Sequence, residues 1–214
     1  MKALLFKQFQ LVCHPMTLLF TLFGVMLLIP SYPYTVVFFY VTLGLFFAFM
    51  KGREQRDRDF TAVLPVRKRD TVRSAVWFSV IIQLLSLVLT VPFAVLSAHI
   101  NPQGGNIVGL DANVALFAAG FVVYGIFNFA FFPALYRTGD QVGVSFVKSS
   151  IALAVTVAVL EALPHFPGLL WLNETTAAAN LRQLPLLAVG AALGAVLTFA
   201  GCRIAEKRYE KVDL

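Results

Sequence analysis

Six apolar runs, most of them long enough to cross a lipid bilayer, are the feature that most constrains the fold of this chain. The hydrocarbon core of a bilayer is about 30 Å thick and requires a helix of about 20 apolar residues. In a chain of 214 residues, six such helices leave only short connections. We therefore predict an all-α integral membrane protein that forms one polytopic domain over 1–214. The predicted transmembrane helices 1 to 6 cover 16–29, 34–50, 74–98, 112–136, 146–163 and 184–204.

The composition excludes a soluble fold. Hydrophobic residues make up 59% of the chain and charged residues only 13%, whereas an average soluble domain carries about 25% charged residues. The net charge of +6 is better explained by contact with anionic headgroups than by nucleic acid, so we expect the lipid bilayer as a partner and no nucleic acid. The two cysteines, Cys13 and Cys202, lie far apart in the sequence and predict neither a metal site nor a cofactor in this chain.

The distribution of basic residues predicts the topology. Sixteen of the 17 lysines and arginines fall in segments that share one side of the membrane if the N-terminus is inside. Only Arg182 falls on the other side, so the positive-inside rule places both termini in the cytoplasm. Residues 1–15 alternate basic, polar and apolar side chains and are predicted to form an interfacial helix, and 205–214 a cytoplasmic tail.

The connection at 51–73 is the longest of the predicted cytoplasmic segments and contains eight basic and four acidic residues. Alternating charges favour a short surface helix from Arg53 to Ala62 between helices 2 and 3, which Pro65 ends. Apolar side chains among these charges suit docking onto a soluble partner, although a solvated loop that only fixes the topology is the alternative. The candidate docking residues are Arg53, Glu54, Arg56, Asp57, Arg58, Asp59, Phe60 and Leu64.

The same segment carries a resemblance to a known family. An acidic residue after the second span precedes the stretch LPVRKRDTVRSAVW, which leads into the third span. The pattern resembles the membrane subunits, or permeases, of ABC-2 type ABC transporters in bacterial exporters. The matching residues are Glu54, Thr61, Leu64, Pro65, Arg67, Lys68, Val72 and Arg73.

The resemblance implies a partner and a location. In the family, the segment that matches Arg53 to Val63 is the coupling helix, which lies in a cleft of the ATP-hydrolysing subunit. It implies ABC ATPase subunits that bind ATP and Mg, a second copy of the permease or a sibling permease, and a bacterial cell membrane. The chain itself contains no G-x-x-x-x-G-K-[ST] motif, which nucleotide phosphates and magnesium require. We therefore expect the chain itself not to be an enzyme.

Polar residues within the apolar runs are candidates for a substrate pathway. The many phenylalanines of helices 2 and 4 would form a wall for an amphipathic or hydrophobic molecule, although lipid contact and packing explain most of them. Glu161 is the one acidic residue within a predicted span and is either functional or located at the outer interface near Pro164. The pathway candidates are Phe39, Tyr40, Phe46, Tyr124, Asn128 and Thr156.

Glycines in the last apolar run allow close approach of another helix. Gly190 and Gly194 form a G-x-x-x-G motif, and Gly201 extends it. Such a face packs either within the subunit or against a second subunit.

The leading functional hypothesis is the permease of an ATP-driven ABC-2 exporter that moves a peptide, lipid or drug by alternating access. A secondary carrier would require paired intramembrane charges, and an accessory membrane scaffold would have no ATPase partner. An intramembrane enzyme would require convergent nucleophile, base or metal ligands, and the sequence contains neither H-E-x-x-H nor G-x-S-x-G.

Overall fold

The computed structural model describes residues 2–100, 106–137 and 141–212. Within these residues the chain forms helices and turns and no strand, which confirms the predicted all-α class. Three short helical segments of other types follow or link the α-helices, at Gln8–Val12, Phe23–Leu28 and Leu163–His165, and a fourth lies at Leu170–Asn173. The α-helices are α1 (Lys2–Lys7), α2 (Pro15–Thr21), α3 (Val36–Glu54), α4 (Asp57–Ala62), α5 (Lys68–Ile100), α6 (Val114–Leu135), α7 (Val142–Ala162) and α8 (Ala177–Glu210).

Five of the helices in this part of the chain are long and apolar enough to cross a membrane: α3, α5, α6, α7 with its following turn, and α8. A sixth span exists if Lys2–Val12 and Pro15–Leu28 are counted together, although these segments meet at an angle of 96°. The first predicted helix, 16–29, is therefore the weakest of the six. It consists of the two turns of α2 and the tighter 3₁₀ segment Phe23–Leu28.

The third and sixth predicted helices extend further than expected. α5 begins at Lys68, inside the charged connection, and α8 ends at Glu210, inside the predicted tail. Pro92 and Pro185 lie within α5 and α8 without ending them. The charged residues continue the helices because they pair with each other across α5 and α8, as described below.

α6 is the central helix of the bundle. Most of its large side chains are enclosed by neighbouring helices, although Phe129 is 41% exposed. The rings of Phe127 and Phe131 stack with centroids 4.9 Å apart. A helix that is apolar on every side is stable only where it is surrounded. The side chains of α6 with no exposed surface are Leu116, Val123, Phe127, Phe131, Phe132 and Leu135.

The two ends of the bundle differ in composition, and we name them accordingly. The basic end comprises α1, the α3–α5 connection, the start of α5, the end of α6 and the end of α8. The loop end comprises the turn before α3, the segment 106–113, the end of α7, the segment 163–176 and the start of α8.

Candidate coupling site at the basic end

The predicted surface helix from Arg53 to Ala62 is divided in the structure. α3 continues to Glu54, the chain reverses at Arg56, and the separate helix α4 begins at Asp57. Arg56 adopts a left-handed backbone conformation with φ of 52°, which an α-helix cannot include. The expected single helix is therefore wrong in its boundary, because the break at Arg56 turns α4 towards the N-terminal segment.

An ion pair attaches α4 to α1. The Nζ of Lys7 lies 2.8 Å from Oδ1 of Asp57, and the two side chains are 11% and 9% exposed. The same ammonium donates a hydrogen bond to Oγ1 of Thr61, which in turn donates to the carbonyl of Asp57 at 2.6 Å. One side of α4 is thus held against the N-terminal segment by contacts that water hardly reaches.

A second contact fixes the end of α3 to the same segment. The Nζ of Lys51 donates to the carbonyl oxygen of Cys13 at 2.7 Å. One residue on, a Cβ placed on Gly52 would lie 3.3 Å from the side chain of Val12. The glycine therefore permits this close approach of α3 to the N-terminal segment.

Aromatic residues connect α4 to the ends of α6 and α8. The guanidinium of Arg58 lies over the ring of Tyr136, 4.9 Å from its centroid, a favourable cation–π geometry. Tyr136 packs edge-to-face on Tyr209, with centroids 4.9 Å apart. Burial raises the pKa of Tyr136 and the charge of Arg58 opposes that rise, so the phenol remains neutral.

Other positions of α4 and its C-terminal flank are exposed. Phe60 is 54% exposed and Val63 is 80% exposed, next to a groove of about 470 Å³ between α1 and the start of α5. Of the eight predicted docking residues, Asp57 and Arg58 face the protein and Leu64 is partly buried. The exposed ones are Arg53, Glu54, Arg56, Asp59 and Phe60.

Ion pairs between α5 and α8 complete the basic end. Glu206 accepts from Arg73 at 2.7 Å and lies 3.4 Å from Arg203, and Arg69 pairs with Glu210. Lys7, Glu206 and Glu210 were not among the predicted site residues. Their partners Asp57, Arg73 and Arg69 lie 50 or more residues away along the chain, so only the charge signs hint at these pairings.

The six predicted pathway residues do not form one site. Phe39 and Phe46 pack on Phe146 of α7, with centroids 6.3 and 4.6 Å apart. The hydroxyl of Tyr40 lies 3.1 Å from that of Tyr32. Thr156 donates to the carbonyl of Ala152 in its own helix at 2.8 Å. These contacts show how the four residues are held, and their role in a pathway stays a prediction.

Tyr124 and Asn128, the other two candidates, belong to a buried polar cluster between α5, α6 and α8. The amides of Asn128 and Gln83 exchange two hydrogen bonds of 3.0 and 2.9 Å. Asn128 also donates to Oγ1 of Thr198 at 3.0 Å, and the hydroxyl of Tyr124 lies 2.6 Å from that of Ser86. Each polar group therefore finds a partner within the protein, as apolar surroundings require.

The glycines of α8 pack against α6 of the same chain. A Cβ on any of them would overlap main-chain atoms of α6, so only glycine allows this spacing. Of the two expected roles, packing within the subunit is the one that the geometry accounts for. The closest atom would lie 2.7 Å from a Cβ on Gly190 (Ala118 O), 2.5 Å from one on Gly194 (Phe121 O) and 2.8 Å from one on Gly201 (Phe129 Cα).

Glu161 fastens three segments of the loop end. Its side chain is 8% exposed. Oε1 accepts from the backbone N–H of Thr35 at 2.9 Å and from the Thr35 hydroxyl at 2.5 Å, and Oε2 accepts from the N–H of Leu110 at 2.9 Å. The carboxylate therefore joins α7 to the α3 entry and to the segment 106–113.

A metal site requires several His, Cys, Asp or Glu side chains that lie close together. Across 2–100, 106–137 and 141–212, no three His, Cys, Asp or Glu side chains lie close enough to hold a metal ion. In these ranges both cysteines are free thiols.

Comparison with known proteins supplies the family. The family model described as "ABC-2 family transporter protein" matches residues 3–210. Searches of curated proteins and of solved structures found no match. The matched range contains the divided connection at Arg56 and all five long apolar helices. This chain is therefore a member of the ABC-2 transporter family and a multi-pass membrane protein.

Proposed function

We propose that the chain is the permease subunit of an ATP-driven exporter in the plasma membrane of a bacterium. The basic end faces the cytoplasm in this proposal, with both termini on that side. Separate ATPase subunits, which bind ATP and Mg, dock onto the exposed side of α4 and its flanks. The permease chain contributes no ATP-binding or catalytic group of its own.

The observation that carries the proposal is that α4 is both attached and exposed. Asp57 and Thr61 hold it to Lys7, while the neighbouring Phe60 is exposed among charged residues. An aromatic side chain that fills a partner's pocket is a typical hot spot of an interface, and a charged rim sets its orientation. A helix that must transmit force also requires firm attachment to the spans, which the inner side of α4 supplies.

Closure of the ATPase subunits would then move α4 together with the spans attached to it. Arg58 links α4 through Tyr136 and Tyr209 to α8, and the short connection at 63–67 links it to α5. A push on Phe60 therefore reaches both α5 and α8, which enclose the polar cluster around Asn128. Such a rigid-body shift of packed helices is a common switching transition.

Transport further requires a second permease and a substrate that tolerates an apolar interior. A second copy of this chain, or a sibling permease, would complete the pathway. The polar groups of the interior pair with each other, which favours an amphipathic or hydrophobic cargo such as a peptide, lipid or drug. The glycines of α8 are used within the chain, so the contact between permeases uses another face.

A secondary carrier is the main alternative and receives less support from the structure. Glu161, the acidic residue within the predicted spans, accepts hydrogen bonds from the neutral groups of Thr35 and Leu110 at the loop end. A coupling ion would have to displace these donors before it could bind.

The test is co-purification with a P-loop ATPase, which we expect a neighbouring reading frame to encode, together with stimulation of its ATP hydrolysis. Replacing Phe60 by alanine should weaken docking by about 2 kcal/mol or more, which is about 30-fold in affinity. Adding Glu54→Arg and Asp59→Arg should weaken it further. Asp57 is left unchanged because its substitution would also break the pair with Lys7.

Phe166→Ala is the matched control, because Phe166 is 57% exposed but lies at the loop end. It should leave co-purification and ATPase stimulation unchanged. If the triple variant docks and stimulates hydrolysis as the unmodified chain does, the coupling role of α4 is refuted, and with it most of the case for an ATP-driven permease.

A further inference from the structure

An intramembrane cavity of about 460 Å³ opens between α5, α6 and α8. Its size is that of a small-molecule site. Trp77 and Phe199 stand at its sides and are 55% and 62% exposed, so the cavity opens towards the bilayer rather than towards the centre of the bundle. Gly125 and Gly194 form part of its lining, where their backbones touch.

The polar residues of the cavity wall are already satisfied. Gln83 exchanges both amide hydrogen bonds with Asn128, Thr198 accepts from Asn128, and Tyr124 pairs with Ser86. An occupant gains little by offering further hydrogen bonds to these groups. The cavity walls therefore favour an apolar occupant such as a hydrocarbon chain.

A cationic cluster lies at the end of the cavity nearest to the basic end. Arg73 precedes Trp77 by one helical turn, and Arg203 lies over the ring of Phe199 at 4.9 Å from its centroid. Both guanidiniums contact the single carboxylate of Glu206, which also lies 3.7 Å from the cavity residue Cys202. Asp70, which also attracts Arg73, lines the groove beside α1, and Glu210 pairs with Arg69. Next to the cavity, two guanidiniums therefore share the one carboxylate of Glu206 and can attract an anion. The side chains of Arg73 and Arg203 are 36% and 50% exposed and can reach it.

We propose that this cavity binds one acyl chain of an anionic phospholipid from the leaflet at the basic end, with the phosphate held by Arg73 and Arg203. Along α5 and α8, the apolar cavity is followed by the two arginines. This order matches that of the acyl chain and the headgroup in a phospholipid. Basic residues near the headgroups attract anionic lipids. This site is distinct from the docking side of α4 and does not depend on an ATPase.

The experiment uses quenching of Trp77 fluorescence by brominated lipids. The chain has two tryptophans, so Trp171→Phe leaves Trp77 as the only reporter. The full-length protein is reconstituted in phosphatidylcholine vesicles that contain increasing fractions of dibromo-phosphatidylglycerol or dibromo-phosphatidylcholine. We expect half-maximal quenching at a several-fold lower fraction of the phosphatidylglycerol. Arg203→Gln should reduce this preference, and Arg73→Gln together with Arg203→Gln should abolish it, whereas Arg182→Gln at the loop end should not.

A second pair of variants tests the cavity itself. Ala195 lines the cavity and is exposed to lipid, so Ala195→Leu should fill the space and lower quenching by both lipids. Ala192→Leu, on an exposed position of α8 outside the lining, should have no effect. Equal quenching curves for the two lipids would overturn the headgroup site, and unchanged quenching in Ala195→Leu would overturn the cavity as the binding place. Absence of quenching by either lipid, with cross-linking of Trp77→Cys chains, would show that a second copy covers the cavity and would also overturn the proposal.

Discussion

The two ends of the bundle are held together by different chemistry. At the loop end, buried side chains form hydrogen bonds with backbone groups. Glu161 and Gln183 accept from backbone N–H groups, and Asn113 donates to a backbone carbonyl. At the basic end, ion pairs range from the nearly enclosed Lys7–Asp57 to the exposed Arg69–Glu210. The loop end therefore closes the protein on itself, whereas the basic end keeps charge and apolar surface available for a partner.

The contrast has an energetic basis. A buried backbone N–H that loses its acceptor costs the full desolvation of that group, so the contacts of the loop end allow only one arrangement. Exposed ion pairs are worth little and rearrange at low cost. An end that must receive and release another protein is better built from such pairs, with one firm attachment beneath them.

The largest effect is expected from removing the carboxylate at the loop end. Glu161→Ala leaves the N–H of Thr35, the hydroxyl of Thr35 and the N–H of Leu110 without their acceptor. At about 1–3 kcal/mol for each buried donor, the variant should lose about 4 kcal/mol of stability. The measurement is the thermal midpoint of the purified protein in detergent.

Three variants control this prediction. Glu174→Ala changes an exposed glutamate of the same end and should leave the midpoint unchanged. Glu161→Gln keeps one oxygen as acceptor and should give an intermediate loss. Gly109→Ala leaves the carboxylate in place but puts a Cβ 1.8 Å from its Oε2, so it should also lower the midpoint. Equal midpoints for Glu161→Ala and Glu174→Ala would show that the loop end is not held by this residue.

A smaller effect is expected from the enclosed ion pair at the basic end. Lys7→Met leaves the carboxylate of Asp57 without its ion partner, and uncompensated buried charges cost several kcal/mol. Because the pair lies at the edge of the bundle and is about 10% exposed, we expect a loss of about 2 kcal/mol. The thermal midpoint and the docking assay should both decline.

The double variant Lys7→Met with Asp57→Leu separates the charge from the packing. Removing both charges should restore most of the stability, because an apolar pair of similar size replaces an ion pair at little cost. A double variant that is less stable than Lys7→Met alone would mean that the pair does not couple α1 to α4.

Much of this architecture follows from the sequence, and the remainder depends on distant residues. The apolar runs predicted the long helices because a bilayer dictates their length. The ends of α5 and α8 were not predicted because charges lower the local hydropathy. They are helical because Arg73 and Arg69 find Glu206 and Glu210 across the bundle. A pattern along one segment does not contain such pairings.

The candidate site is likewise only partly predictable from the sequence. The exposure of Phe60 follows from the charges next to it in the sequence. The inward orientation of Asp57 does not, because it depends on Lys7 and on the left-handed turn at Arg56. Glu161 lies close to Pro164 in the sequence, and the two expectations for it were a functional role or a position at the outer interface. Its donors come from Thr35 and Leu110, which no local pattern connects to it.

The smallest effect is expected from the exposed ion pair between α5 and α8, and it provides the sharpest test of the contrast. The side chains of Arg69 and Glu210 are 55% and 40% exposed, so water and salt screen their attraction. Arg69→Ala should give no resolvable change in the thermal midpoint at 1 M salt, where the Debye length is about 3 Å, and at most a slight decrease at low salt. The effect of Lys7→Met should persist at both salt concentrations, because its pair is enclosed. If the midpoint of Arg69→Ala fell as far as that of Lys7→Met in high salt, the two pairs would be equally structural, and the basic end would be as rigid as the loop end.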